Sequence, residues 1–532
     1  MQSNDEWAQR YDAGDMQRLA PGKAGIAASP QPINWVGAPV IAALVAGFAL
    51  RALFVWRHPR FVGDALVYGE LAHHMLKEHV YGLMDAGVLK PTLIRLPGYP
   101  LFLAAVFKVF GDANYVAVLW VQVFVDLVTC LLLAATALWI AGRRAGMWVL
   151  WLAVLCPFTA NYAAVVVAEC CSLFCVALAM YGMARWAGQR VSESAGQRVS
   201  KGESWRWSVV VGVALSAAVL LRPDQGLLAA VVVPGMLWVG WRSRGRWPRS
   251  QDRVVGHPKS GLRWLAPAMV ASLIVVLPLC FWAVRNWRVF HVVQPLSPKY
   301  ANDPGEEVPH GFFRWYRTWA IGFPATVKVY WQYDGDLISM NDLPARAFDS
   351  PEQKAETAKL IATYNEESAS TPAVDAAFAR LAEQRVKAHP LRYYVELPVA
   401  RELDMWFRPR IEYMKVPLDW WRIGAHPWNS LRAYALGALN VAYLALACAG
   451  LWMWRRRGGV VVWSMVAFVV LRCALLLTID NSEPRYTMEC YPVVLLLAGL
   501  ALAGGVQNNS RVLTRDKPPF RDEAAKGQAT RS

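Results

Sequence analysis

The chain has 532 residues, of which 56% are hydrophobic and 26 are tryptophan, and it carries a formal net charge of +16. This is far more apolar and aromatic weight than a soluble domain holds, and several apolar runs exceed the roughly 18 residues needed to cross about 30 Å of hydrocarbon. A soluble enzyme is therefore excluded, and so is nucleic-acid binding, because the positive charge lies in short loops between apolar runs rather than on one basic face.

The first 32 residues are polar and read as a cytoplasmic tail. No short apolar stretch with a cleavage site precedes the first apolar run, so that run is expected to be retained. Starting inside, spans are expected at about 33–56, 114–140, 145–161, 163–187, 207–222, 225–241, 264–284, 431–454, 459–478 and 490–506. Trp35, Trp56, Trp148, Trp238, Trp241 and Trp264 sit near span ends, as interfacial anchors do. Four loops, beginning at Arg143, Arg185, Arg242 and Arg455, hold 17 basic residues against three acidic ones and are assigned to the cytoplasmic side. The run 97–111 (PGYPLFLAAVFKVFG) would be about 21 Å long as a helix, too short to cross comfortably. Were it to cross, the 17 cations would face outward. It is therefore expected to lie in the outer interface with Lys108 snorkelling.

These runs define an all-α polytopic membrane protein with about ten transmembrane helices, interfacial helices and a mostly helical outer segment. The expected divisions are a tail at 1–32, a transmembrane core at 33–284 with a first outer loop at 57–113, an extracytoplasmic segment at 285–430, C-terminal spans at 431–506 and a cytoplasmic tail at 507–532. An octapeptide, AGQRVSES, is followed directly by AGQRVSKG at 187–202 and reads as a tolerated spacer in an inner loop. All nine cysteines lie in or beside apolar runs without a CxxC or Cys/His pattern, so neither zinc nor a disulfide framework is expected.

The segment 285–430 is electrically neutral, with 18 basic and 18 acidic residues. Helices are expected after Ser350 and after Thr371, each with proline at its first position and an acid in its first turn. The aromatic stretches FFRWYRTW (312–319) and VYWQYDGD (329–336) could stack on sugar rings or pack on one another, and packing is the favoured reading.

Asp64 in the first outer loop is the leading chemical candidate. A carboxylate at the bilayer edge can take a proton from an attacking hydroxyl; alternatively it caps the helix that follows, ALVYGELAHHMLKEH. Tyr68 and His74 could share its face at helical spacing, but Tyr68 reads rather as a packing residue and His73 and His74 as a wet interfacial pair. Arg95 lies in the stiff turn IRLPGYP, with Tyr99 beside it, where Gly98 allows close approach of backbone and ligand. Arg485 lies in NSEPRYTMECYP next to Glu483, and Arg285 opens RNWRVF. These three arginines are candidates for holding a phosphate, or alternatively lipid headgroups. Glu169 and Asp224, the latter in RPDQG, stand near span ends as supporting groups. Asp126 and Arg472 fall deeper, where charges are usually paired, and are read as a structural pair. No carboxylate cluster with metal-ligand spacing is singled out, so neither a divalent ion nor another cofactor is expected.

Four blocks, GDALVYGELAHHML (63–76), RLPGYPLFLAAVFKVFG (95–111), FWAVRNWRVFHVVQPLS (281–297) and EPRYTMECYPVVLLLAG (483–499), together resemble the GT-C polytopic glycosyltransferases. The nearest likeness is to the bacterial, family 39-like branch related to protein O-mannosyltransferases and the lipid A aminoarabinose transferase. Ala65 stands where many relatives carry a second carboxylate, and Leu96 where they carry a first proline. The resemblance implies transfer from a polyprenyl-phosphate sugar to a glycan, lipid or protein acceptor on the outer face of the cytoplasmic membrane. It implies Asp64 as the essential acid and Arg95 and Arg485 as holders of the donor phosphate. A lipid-linked-sugar transporter and a non-enzymatic assembly subunit are the competing classes. Transport would place its charges at mid-membrane, as Asp126 and Arg472 are, and would show repeat-related halves.

Overall fold

In hydrocarbon every backbone polar group must find its partner within the chain, which makes helices the natural outcome of long apolar runs. The computed structural model describes residues 37–61, 63–194, 201–243 and 264–504, without side chains at 191–194 and 201–204. Outside the described residues lie the tail 1–32, Trp35, most of the second octapeptide copy, the cations from Arg244 to Arg263, and the tail 507–532.

In chain order the main elements are α1 (Ala38–Arg57), α2 (Asp64–Lys77), β1 (Gly82–Asp85), β2 (Val88–Pro91), α3 (Gly98–Phe110), α4 (Tyr115–Ala141), α5 (Arg143–Val154), α6 (Pro157–Tyr162), α7 (Glu169–Ser194), α8 (Lys201–Leu221), α9 (Gly226–Ser243) and α10 (Ala266–Phe290). They continue with α11 (His310–Arg317), α12 (Pro351–Glu367), α13 (Pro372–Ala388), α14 (Leu397–Phe407), α15 (Pro427–Trp454), α16 (Val460–Leu476) and α17 (Tyr491–Leu502), the last preceded by a 3-10 stretch, Pro484–Cys490. Among the described residues seven helices are long and apolar enough to cross a membrane, and three shorter apolar ones accompany them. On α10 the side chains of Met269, Leu273, Val276 and Phe281 are all exposed, as a lipid-facing surface requires. The protein is a multi-pass membrane protein.

Two expected spans differ. The run 145–161 is not one helix: α5 stops at Val154 and α6 begins at Pro157. Proline has no N–H to continue the ladder and disfavours helix at the residue before it, here Cys156, which is extended. The span expected from 163 starts at Glu169 instead. Residues 163–168 (AAVVVA) are buried and non-helical, and Arg60 forms a parallel bridge with Val165. Three consecutive β-branched valines favour that extended path.

The first outer loop contains a hairpin that the sequence reading did not anticipate. β1 and β2 pair antiparallel from Gly82↔Pro91 to Asp85↔Val88. Ala86 and Gly87 turn with φ of 48° and 81°, the left-handed pair that a two-residue hairpin turn demands.

Between α10 and α15, α12 and α13 start as expected. The hydroxyls of Ser350 and Thr371 accept from the N–H groups of Gln353 and Val374. They pack with α11 around an aromatic core in which Phe312, Trp315, Tyr316, Trp319 and Phe378 are fully buried. The stretch 312–319 is thus interior packing; of 329–336, Tyr330 and Trp331 reach a cavity.

Candidate active site

Gly63 precedes α2 with φ 65° and ψ −125°, a conformation essentially reserved for glycine. The sharp entry it allows makes Asp64 the first residue of α2. Asp64 does not cap the helix; no side-chain cap bond forms there. Its carboxylate instead accepts from Arg95 Nη2 at 3.1 Å and from Arg485 Nη1 at 2.7 Å, across sequence separations of 31 and 421 residues. The turn IRLPGYP is seated by Gly98. A Cβ there would lie 2.5 Å from the backbone carbonyl of Leu220, so the close approach is to the end of α8 rather than to a ligand. Tyr81 Oη donates to the carbonyl of Arg95 at 3.0 Å and steadies the turn.

Arg485 is shared. Its Nε lies 2.5 Å from Glu483 Oε2, and Glu483 Oε1 accepts from Tyr486 Oη at 2.7 Å and Asn481 Nδ2 at 2.9 Å. The guanidinium is therefore held between two carboxylates. Burial alone would raise the Asp64 carboxyl, but Arg485 and then Arg95 outweigh it and hold it well below the usual carboxylate range. Tyr68, one turn along α2, is pushed up to about 12 by burial and by the Asp64 charge, so its phenol keeps its proton.

These groups line a cavity of about 540 Å³, within the roughly 300–1,000 Å³ typical of small-molecule sites. Glu169, Arg222 and Asp224 also line it and belong to an ion network that continues behind the lining to Arg472 and Glu489. Arg222 reaches Glu169 at 2.7 Å, Asp224 at 3.0 Å and Glu489 at 3.0 Å, while Arg472 reaches Asp224 and Glu489 at 2.9 Å each. Arg472 Nε also donates to the carbonyl of Tyr486 at 2.8 Å, tying this network to the segment that carries Arg485. Glu489, fully buried, was not anticipated: inside an apolar run a lone acid shows no partner in the sequence. The same network corrects the expected Asp126–Arg472 pair. Asp126 belongs to Arg51, at 2.7 Å, and both are buried between α1 and α4.

Of the other candidates, Asp64, Tyr68, Arg95, Glu169, Asp224, Glu483 and Arg485 all line the cavity. Three do not. Arg285 donates to the carbonyls of Thr92 and Tyr81 at 2.8 and 2.9 Å, so it clamps the two ends of the hairpin rather than lining the cavity. His74 is buried, not wet, and its Nδ1 pairs with the Gly82 carbonyl at 2.9 Å. Tyr99 supports from behind: it packs edge-on to Tyr68, centroids 5.0 Å apart, and donates to Gln122. The stretch YDGD does contain a DxD spacing that the metal-free expectation overlooked. Asp334 there sits in a left-handed turn and accepts from the Ser370 N–H, away from the cavity. Among the described residues no group of three or more His, Cys, Asp or Glu is placed to hold a metal ion.

Residues 41–293, a little under half of the chain, match the family described as dolichyl-phosphate-mannose-protein mannosyltransferase. No curated protein matches. Among solved structures, ArnT from Cupriavidus metallidurans bound to undecaprenyl phosphate is 17% identical, with a TM-score of 0.35 over 89% of this chain and 78% of that one. The Archaeoglobus fulgidus oligosaccharyltransferase tethered with an acceptor peptide is 10% identical, with a TM-score of 0.47 over 87% of this chain and 49% of that one. The chain thus spans about half the length of that oligosaccharyltransferase. The matched residues include Asp64 and Arg95 and end before Arg485.

Proposed function

We propose that the protein transfers a sugar from a polyprenyl-phosphate donor to an acceptor hydroxyl at the outer face of the cytoplasmic membrane. The observation that carries this reading is the convergence of Arg95 and Arg485 on Asp64 at the cavity wall. An acid flanked by two cations suits a reaction in which a proton leaves the nucleophile while negative charge grows on a departing phosphate.

The reaction is a single displacement. The acceptor oxygen attacks the anomeric carbon, the bond from that carbon to the phosphate oxygen breaks, and polyprenyl phosphate leaves with the electron pair. Asp64 receives the acceptor proton, and the anomeric configuration inverts. In the resting site Asp64 is a weak base because both guanidiniums neutralise it. A donor phosphate drawing Arg95 and Arg485 toward itself restores its basicity, so donor binding prepares the base. Arginines rather than a divalent ion carry the phosphate charge, and EDTA is expected to leave transfer unchanged.

Purified protein incubated with radiolabelled polyprenyl-phosphate sugars and membrane acceptors provides the test. Asp64→Asn is expected to lower transfer by about 10²–10⁴-fold, while undecaprenyl phosphate binds as well as before or more tightly, its arginines being released. Arg485→Gln should weaken that binding. Transfer by Asp64→Asn at wild-type rates would remove Asp64 from the reaction.

A further inference from the structure

The clamp around Asp64 accounts for part of the cavity lining, and the lining also carries an acid, Asp480, and aromatic rings that phosphate binding does not use. Asp480 lines the cavity yet is only 4% exposed. Its cationic neighbours stand off: Lys299 Nζ is 3.4 Å from Oδ2, and Arg317 Nη1 is 3.4 Å from Oδ1. Oδ1 accepts no hydrogen bond among the described residues. A buried carboxylate oxygen in that condition costs free energy and has capacity left for an incoming donor.

Aromatic rings line the same cavity. Tyr300 stacks on Phe313 with centroids 4.9 Å apart and planes 11° from parallel, which fixes its ring. Trp331 is held edge-on by Phe323 but remains 49% exposed. A carboxylate and an ammonium for hydroxyls, set against rigid aromatic faces for C–H surfaces, is the lining a polyhydroxylated ring requires. Asp480 also lies in the same short stretch as Arg485. Between them Asn481 donates to Glu483, which grips Arg485. A ring seated on Asp480 would therefore be held in register with the phosphate clamp.

We propose that Asp480, Lys299 and Trp331 form a carbohydrate subsite, in which Asp480 and Lys299 hydrogen-bond ring hydroxyls and Trp331 packs against the ring face. The inference rests on the transferase reading above, which seats a lipid phosphate at Arg95 and Arg485. The ring belongs either to the donor sugar or to a glycan acceptor, and the experiment separates the two.

The full chain in nanodiscs is titrated with undecaprenyl phosphate, with a panel of undecaprenyl-phosphate hexoses, and with free hexose disaccharides in the presence of undecaprenyl phosphate. In Asp480→Asn the preference for the best sugar-bearing lipid over the bare lipid is expected to fall about tenfold or more, the scale of one lost hydrogen bond to a charged group. Bare-lipid affinity is expected to stay unchanged. Trp331→Ala, at a half-exposed position whose loss does not threaten folding, is expected to weaken the same probe several-fold. Loss of disaccharide binding alone, with the lipid preference intact, assigns the subsite to the acceptor. No sugar-dependent gain in wild type with any probe, or gains that survive both substitutions, overturns the subsite. Failure of wild type to bind undecaprenyl phosphate itself would instead count against the phosphate clamp.

Discussion

Both oxygens of Asp64 are taken by guanidinium groups, and this fixes its charge. Burial favours the neutral acid, but Arg485 and Arg95 win, so the folded value lies below that of the unfolded chain, about 3.9. For a depressed carboxylate the contribution to stability is complete above the unfolded value and is lost as pH falls through the folded one. Asp64 therefore stays charged across pH 5–8, and an acid limb of activity in that window would belong to another group. Arg485→Gln removes the largest opposing charge, so the Asp64 titration should move up toward the ordinary carboxylate range. Saturating undecaprenyl phosphate should move it the same way in wild type. Infrared difference spectra of the protonated carboxyl band, with Asp64→Asn as the blank, would read both shifts; an unmoved band in Arg485→Gln would mean the pair does not set the charge. The sequence pointed to Asp64 as a carboxylate just past the first apolar run, and to Arg95 and Arg485 as cations in proline-stiffened segments beside apolar runs. It could not point to Glu489, Asp480 or Arg51, since a charge inside or beside an apolar run announces a need for a partner without naming it.

Elements were legible where local chemistry decides them and illegible where distant packing does. Ser350–Pro351 and Thr371–Pro372 start helices because the hydroxyl cap and the missing proline N–H act within four residues. Pro157 was equally local, but the apolar run around it outweighed the break in the reading. Gly98 had a local reading, ligand approach, that the fold replaces with approach to α8. The consequence is measurable. In Gly98→Ala the new Cβ meets the Leu220 backbone at 2.5 Å, and the strain should cost about 1–3 kcal/mol. Because Arg95 is three residues away on the same turn, transfer should fall along with melting temperature. Gly226→Ala makes the matched comparison: nothing lies within 4 Å of its Cβ, and replacing a helical glycine with alanine should be neutral or stabilising by about 0.5–1 kcal/mol. Equal melting temperatures for the two variants would mean that α8 does not seat the turn.

At the scale of the whole molecule, the 17 loop cations and the neutral segment 285–430 predict an orientation that the fold alone does not supply. The proposal depends on that orientation, because Asp64 and the cavity must open where lipid-linked donors are presented. Two exposed positions separate the alternatives. Glu366 lies on α12, Arg456 follows α15, and α15, with 28 residues, is the only membrane-length helix between them among the described residues. They must therefore fall on opposite sides if α15 crosses. Single cysteines at 366 and 456, introduced after removal of the exposed Cys280 and Cys448 and the half-buried Cys473, would be probed with an impermeant maleimide on intact spheroplasts. Position 366 should label directly and position 456 only after permeabilisation. The reverse pattern would turn the molecule over and leave the lipid-linked donor on the wrong side of it. Labelling of both positions from outside would mean that α15 does not cross, and the loop cations would then have lost their power to orient the chain.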